Sequence, residues 1–402
     1  MKRSNRRTEK NMTLQYLPHE LIIQILLWLP VKSLIRFKCV CKSWFSLISD
    51  PHFANSHFQL STRTHTRRIL FMSTSPPRKS QTINFEASSL VDDTASISNY
   101  RNFVHLDSYY RIEIKGSCRG FLYLHCFTER ALPMYWIYDI YLWNPSTGFH
   151  KKMPWSPFAS NLYKQYYVDF YGFGYDQSTD DYLLVTMSSQ DDYNWAPLPC
   201  LELFSLRANA WKQIKDTQFT YTRPIGNEHP TTGFLFNGAI HWFAYCCELR
   251  RDVIVAFDLM EKKLFNIHLP GDFHRELNQF GLWVFGEFLS LWAVYYFDGH
   301  NDDICNHRLE IWVMKEYKVD SPWTKILVHS FDDISHKYFF PICSTKSGDI
   351  IGRYEFTLAK CDNKGRLLEY HSYFNDQRGC EVALYTESLL SLPDNEQAWE
   401  DD

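Results

Sequence analysis

The residues of this 402-residue chain that could do chemistry are few and poorly arranged for it. His241 and Trp242 lie in the apolar run "NGAIHWFAYCC", with Cys246 and Cys247 just behind them. A histidine among apolar neighbours reads first as a hydrogen-bonded core residue and only second as a ligand or base. Acidic doublets occur at Asp180–Asp181, Asp191–Asp192, Asp302–Asp303 and Asp332–Asp333. Paired carboxylates can hold calcium, but none of these opens a loop of spaced oxygen ligands ending in glutamate, so solvated turns are expected. The phrase "GFGYD" (172–176) has glycines two apart, yet lacks the third glycine and the following helix of a dinucleotide site. No GxSxG, Walker loop or HExxH occurs. The expectation is no catalytic, cofactor-binding or metal-binding residue, and no cofactor.

The bulk properties narrow the classes further. A net charge of −4 gives no case for wholesale binding to nucleic acid or an anionic membrane. Charge is local: "MKRSNRRTEK" is basic, and the last residues, "DNEQAWEDD", are acidic. Residues 1–16 are expected to be a solvated leader and 393–402 an acidic tail, with nuclear targeting as the sharper reading of the leader. No secretory signal is visible, and the longest apolar run, "LIIQILLWL", is far short of the roughly 20 residues needed to span a bilayer. The cysteines at 39, 41, 118, 126, 200, 246, 247, 305, 343, 361 and 380 are odd in number and form no CxxC pair. Neither a zinc ribbon nor a disulfide framework follows, and buried thiols suit the cytosol or nucleus.

Two kinds of element must carry whatever function remains. The first is helical. In "LPHELIIQILLWLPVKSLIRFKCVCKSWFSLI" (17–48), Leu21, Ile22, Ile25, Leu26 and Leu29 keep a 3.6-residue period. Pro18 suits a first turn and Pro30 ends the helix. A second helix starts at Val31 and places Leu34, Ile35 and Phe37. A third places Val40, Trp44, Leu47 and Ile48, and "DP" at 50–51 stops it. Between Leu21 and Leu29 only Gln24 is polar, so apolar side chains point in every direction. Such a helix is buried on more than one side, and a unit near 40 residues cannot cover it alone. The cover is either the domain that follows or another protein.

The run "LPHELIIQILLWLPVKSLIRFKCVCKSWFSLISDPHF" resembles an F-box over essentially its whole length, within a module expected at 17–58. The resemblance implies docking on a Skp-type adaptor, which bridges to a cullin scaffold. By the same resemblance the adaptor-facing positions are Leu17, Pro18, Leu21, Ile25, Leu26, Leu29, Pro30, Leu34, Val40, Cys41 and Trp44. Several of these must also serve the module's own core. Trp28 stands where the family usually has a charged or polar residue.

The second kind of element is a repeated hairpin. From about residue 67 the helical period disappears and pairs of apolar runs alternate with polar turns. Inner units read "GSCRGFLYLH", "YGFGYDQSTDDYLLVTM", "TGFLFNGAIHWFA", "VFGEFLSLWAVYY" and "FPICSTKSGDIIGRYE". Outer units follow each, from "IYLWNPSTGFHKKMP" to "AKCDNKGRLLEYHSYF". The spacing of about 50 to 60 residues suits four strands per propeller blade. An early hairpin, "RRILFMSTS…QTINFEAS", and the final run, "CEVALYTESLLSL", are left over. Joined, they make a sixth blade and leave no exposed sheet edge. The fold class is therefore α+β by chain: a small three-helix F-box, then an all-β propeller of six blades at 67–392.

"NPSTG", "GFGYD.STDDY", "NGAIHW" and "YTESL.SL" resemble the F-box-associated domain of plant F-box proteins, kelch-like and S-locus F-box-like. The resemblance implies a non-catalytic receptor subunit of a ubiquitin ligase, cytoplasmic or nuclear. Its adaptor would be gripped by the helices and its target protein by propeller loops, with no nucleic-acid or membrane partner. A non-degradative adaptor-binding protein, or a propeller enzyme or lectin, are the rival readings. Trp143, Trp211, Trp242, Trp312 and Trp323 are expected to pack between blades. Loop candidates for the target are 127–139, 154–168, 188–199, 245–252 and 296–308, whose aromatic and charged content suits protein recognition.

Overall fold

The computed structural model describes residues 17–64, 67–74, 80–86, 96–97, 108–128, 138–157, 166–190, 198–214, 219–224, 231–273, 279–297, 306–317, 323–330, 339–354, 357–372 and 380–393. The basic leader and residues 394–402 of the acidic tail lie outside the described residues.

The opening segment folds as four helices rather than three: α1 (His19–Leu27), α2 (Val31–Phe37), α3 (Lys42–Ser49) and α4 (Pro51–Thr64). Pro18 and Pro30 stand at the caps of α1 and α2, where a missing N–H costs nothing. The "DP" pair does end α3, but it also begins α4. Asp50 accepts the Phe53 backbone N–H at 2.9 Å, and Pro51 occupies the first turn with its φ already set. Val40 is not part of α3. The end of α2 tightens through Cys39 N–H to Arg36 O and Val40 N–H to Phe37 O, and Cys41 then takes an extended backbone as the α3 cap.

Six sheets follow, and the closing blade is built from both ends of the chain. Its strand 380–386 pairs antiparallel with 67–73, from Arg67 opposite Thr386 to Ser73 opposite Cys380, and strands 80–83 and 96–97 complete it. We number this blade 1. Blade 2 runs 111–118, 121–127, 138–143 and 150–153; blade 3 runs 166–176, 181–190, 198–205 and 210–214. Blade 4 has strands 239–246, 251–258 and 263–267, with its innermost position shared by 221–222 and 234–236. Blade 5 is 279–285, 288–297, 306–313 and 324–330; blade 6 is 339–344, 350–354, 357–361 and 367–372.

Apolar residues on both faces of the blades fill the seams between them. Trp143, Trp242, Trp283 and Trp312 are all buried. Three indoles tie one blade to the last: Trp242 Nε1 donates to Tyr171 O at 2.8 Å, Trp211 to Pro154 O at 3.2 Å and Trp323 to His268 O at 2.7 Å. The glycines of "GFGYD" serve the same seam. A Cβ on Gly172 would sit 2.8 Å from the Trp242 ring, and one on Gly174 would sit 2.4 Å from Leu259. They admit a neighbouring blade, not a phosphate.

Strand alternation sorts the connections between two faces. The turn joining a blade's first and second strands lies on one face; the loop joining its second and third lies on the other. α4 enters blade 1, and residues 387–393 leave it, on the first of these faces.

Candidate functional site

The helical module leaves part of its apolar surface uncovered. Leu17, Leu21, Ile25 and Trp28 are spaced by four, four and three residues, which puts them on one stripe of α1 and its flanks. They are 55%, 50%, 52% and 65% exposed. Leu26 faces the other way and is buried with Val31, Leu34 and Ile48, while Ile22 and Leu29 are half-buried against the same core. Of the eleven adaptor-facing positions expected from sequence, Leu17, Pro18, Leu21, Ile25, Pro30, Val40 and Cys41 are exposed. Leu29 and Trp44 are half-buried, with the Trp44 ring 5.4 Å from Phe37. Leu26 and Leu34 lie in the module's interior and support the exposed stripe from behind.

Sequence reasoning passed over Phe45, which is exposed beside the turn that carries Val40 and Cys41. Its signal was present: Trp44, Leu47 and Ile48 define the inner arc of α3, and Phe45 falls outside that arc. Finishing the burial of four half-exposed side chains is worth about 1 kcal/mol each, so the α1 stripe represents on the order of 4 kcal/mol of unused hydrophobic free energy.

α4 joins this module to the propeller. His57 is buried in α4, stacks on Phe53, and its Nε2 lies 2.9 Å from Leu29 O. A carbonyl only accepts, so Nε2 carries the proton; burial holds the imidazole below its usual pKa and keeps it neutral. One apolar cluster then runs from Leu26 and Leu34 through Phe53, Ala54 and Phe58 of α4 to Phe121, Tyr182, Leu389, Leu390 and Leu392 of the propeller. The propeller thus covers α4's side of the module and leaves the Leu21–Ile25–Trp28 side open.

The residues that suggested catalysis are engaged structurally. His241 is buried, with Nδ1 3.2 Å from Phe234 O and Nε2 2.8 Å from the Tyr317 hydroxyl. Asp181 accepts the Arg207 N–H at 2.9 Å and the Ser205 hydroxyl, while Asp180 pairs with the Arg207 guanidinium at 2.8 Å. The other three acidic doublets lie outside the described residues. Burial pushes the Cys246 and Cys247 thiols up, away from nucleophilic thiolate. No group of three or more His, Cys, Asp or Glu side chains among the described residues could hold a metal ion, and no helix among them is long and apolar enough to cross a membrane.

The segments expected to bind a target all flank strand ends on one face. Residues 127–139, 188–199, 245–252 and 296–308 follow the second strand of blades 2 to 5, and 154–168 follows the last strand of blade 2. All emerge opposite the face that carries the helices. Only 245–252 is wholly described; 129–137, 158–165, 191–197 and 298–305 lie outside the described residues.

Comparison with known proteins agrees with this two-part geometry. The F-box domain signature matches residues 14–55, and that of the F-box associated beta propeller domain matches residues 69–374. The chain belongs to the F-box-associated β-propeller family. An F-box/kelch-repeat protein of Arabidopsis thaliana is 28% identical over 317 residues, covering 77% of this chain and 79% of that one. The F-box protein CPR1 of Arabidopsis thaliana is 26% identical over 336 residues, covering 77% and 72%. Among solved structures, TolB from Acinetobacter baumannii overlaps at a TM-score of 0.38 with 10% identity, covering 79% of this chain and 68% of that one. Bacillus subtilis levansucrase overlaps at 0.34 with 9% identity, covering 70% and 88%. Neither overlap is close enough to carry an argument about activity. In this F-box-associated propeller the F-box signature ends at residue 55, inside α4, so the helix that docks on the propeller straddles the boundary.

Proposed function

We propose that this chain is the substrate-recognition subunit of a Skp–cullin–F-box ubiquitin ligase. One observation carries the reading: an F-box module keeps an apolar stripe, Leu17, Leu21, Ile25 and Trp28, in solvent although a propeller is packed against its other side. A stripe of that size calls for a partner. The Skp-type adaptor is the partner an F-box implies, with Pro18, Leu29, Pro30, Val40, Cys41 and Trp44 bordering or supporting the contact and Leu26 and Leu34 bracing it from inside. The cullin scaffold follows through the adaptor. The target protein binds the loops of the opposite propeller face, at residues 127–139, 154–168, 188–199, 245–252 and 296–308. The chain performs no bond chemistry; it holds a target lysine near activated ubiquitin, which raises the effective concentration of the reacting groups. Free, mostly buried thiols suit a cytoplasmic or nuclear location.

The test is co-purification of the full chain with a Skp-type adaptor. Wild type is expected to retain the adaptor, and Ile25→Asp to lose it while keeping its circular dichroism spectrum. Retention by the aspartate variant sinks the interface. Proteins that co-purify only under proteasome inhibition support the ligase role, and none at all favours a non-degradative adaptor-binding protein.

A further inference from the structure

The helical module and the propeller meet at a residue held in a costly backbone conformation. Arg119 and Gly120 make the two-residue turn between the first and second strands of blade 2, with φ of +48° and +87°. Both positions of such a turn need a left-handed backbone, which Asn-Gly adopts most readily. The equivalent turn of blade 4 uses that pair, Asn237–Gly238, at +45° and +73°. Arginine lacks the short polar side chain that makes asparagine cheap in the first position, a cost that Arg250 and Lys262 also bear elsewhere in the propeller.

Its reason lies at the end of the side chain. The guanidinium carbon is 3.9 Å from the centroid of the Tyr175 ring in blade 3 and 5.0 Å from that of Phe58 in α4. One terminal nitrogen donates to Asn55 Oδ1 of α4 at 2.9 Å. A single planar cation therefore stacks on an aromatic ring from each body and hydrogen-bonds to one of them. Gly120, next in the chain, is pressed against the departing C-terminal segment, since a Cβ there would lie 2.2 Å from Ser388 Cβ. Asn144 fixes that segment by donating to Ser388 O at 3.1 Å and Leu390 O at 3.2 Å. The platform under α4 is thus anchored, and Arg119 is the cationic contact that reaches from it into the helix.

The covalent link between α4 and blade 1 is short but is one point, and one point permits hinging. We infer that Arg119 is a positioning residue that locks α4 to blades 2 and 3, so that the adaptor stripe and the far propeller loops keep a fixed separation. This rests on the function proposed above. A hinged receptor would still bind adaptor and target, but would spread the target's lysines over a larger volume and dilute them at the ubiquitin donor.

The variant that isolates the clamp is Arg119→Asn. It installs the Asn-Gly pair that the turn prefers, so the propeller is expected to fold at least as well as wild type. Hydrogen exchange on the full chain is expected to quicken about tenfold across 53–64, with the strands of blades 2 and 3 unchanged. Adaptor affinity should stay within about twofold. In a ligase reconstituted with the adaptor and cullin, ubiquitin placed on the chain's own propeller lysines should spread to more sites. Arg119→Lys, which keeps the charge but loses the planar group, should resemble the asparagine variant. Unchanged protection of α4 in Arg119→Asn overturns the clamp. Failure of the wild-type chain to bind the adaptor would instead overturn the proposed function, while the exchange result would still decide the clamp.

Discussion

The two halves of this molecule treat the same residue types in opposite ways. Trp242 is fully buried in a blade seam, with its indole N–H bonded to the neighbouring blade. Trp28, at the end of α1, is 65% exposed and is joined by Leu21 and Ile25 on the same stripe. A propeller closes on itself, so each blade's apolar faces are consumed by its neighbours and its sheet edges are short or paired. A module of a few short helices has no such closure. Its second and third helices and α4 cover one side of α1, and the other side stays exposed. The difference teaches that hydrophobicity here means stability in one region and, on the function proposed above, association in the other.

The largest effects should fall where burial is complete. Trp242→Ala is expected to cost about 3–5 kcal/mol in chemical denaturation, because it empties a seam and removes one of the two donors to Tyr171 O, leaving only the Gly233 N–H. A loss below about 1 kcal/mol would break the comparison at its first term. Gly352→Ala is the overpacking counterpart: the added Cβ would lie 2.3 Å from the Phe339 ring, whose flat edge cannot bend aside. About 1–3 kcal/mol is expected, read from the same denaturation curves.

A pH titration probes one tie inside the propeller half. Asp176, at the turn of blade 3, holds the Ser178 N–H and hydroxyl and the Thr179 hydroxyl, and pairs with Lys262 of blade 4 at 2.7 Å. Burial alone would raise its pKa, but the Lys262 ammonium and these donors outweigh it and hold the carboxyl well below the usual range. A carboxylate with a depressed folded-state pKa stabilises the fold fully above its unfolded pKa, about 4, and that contribution is lost as pH falls below it. The propeller of wild type should therefore lose stability between about pH 5 and pH 2 more steeply than that of Asp176→Asn. Equal slopes would remove Asp176 as an inter-blade tie. The test reads the propeller alone, because Asp176 and Lys262 both lie in it.

Within the helical module the strongest local device is the Asp50 cap. Asp50→Ala is expected to cost about 1 kcal/mol by removing the acceptor for the Phe53 N–H, seen as earlier fraying of α4 in hydrogen exchange. That cap also shows where sequence reading stopped. The "DP" pair was legible as an end, because proline cannot continue a helix. It was not legible as a beginning, because "PHFANSHFQLSTRT" buries Phe53, Ala54, His57 and Phe58, and the polar His57 hides the apolar spacing. The blades, their closure by both chain ends and the tryptophan seams other than that of Trp283 were legible, since strand alternation and turn chemistry are local signals. The role of Arg119 was not: its sequence context announces a turn, while its partner Asn55 is 64 residues away. Likewise Leu26 and Leu34 fit the helical period as well as Leu21 and Ile25 do. Only the packing of α4 decides which side of α1 is the inside.

The smallest expected change in stability is at Trp28, and it is the sharpest test of the contrast. Its side chain is mostly in water and its indole makes no hydrogen bond among the described residues, so Trp28→Gln should move the denaturation midpoint by no more than about 0.5 kcal/mol equivalent. If the α1 stripe is an interface, the same substitution should weaken adaptor binding by about tenfold or more, because tryptophan is enriched among the few residues that dominate a contact. Calorimetric titration of the full chain with the adaptor measures this directly. A variant that loses stability but not affinity would show Trp28 packing locally, and the surplus of α1 would then shrink to Leu17, Leu21 and Ile25. Loss of affinity at constant stability, set beside loss of stability in Trp242→Ala, would show one residue type doing two jobs according to whether the fold closes over it.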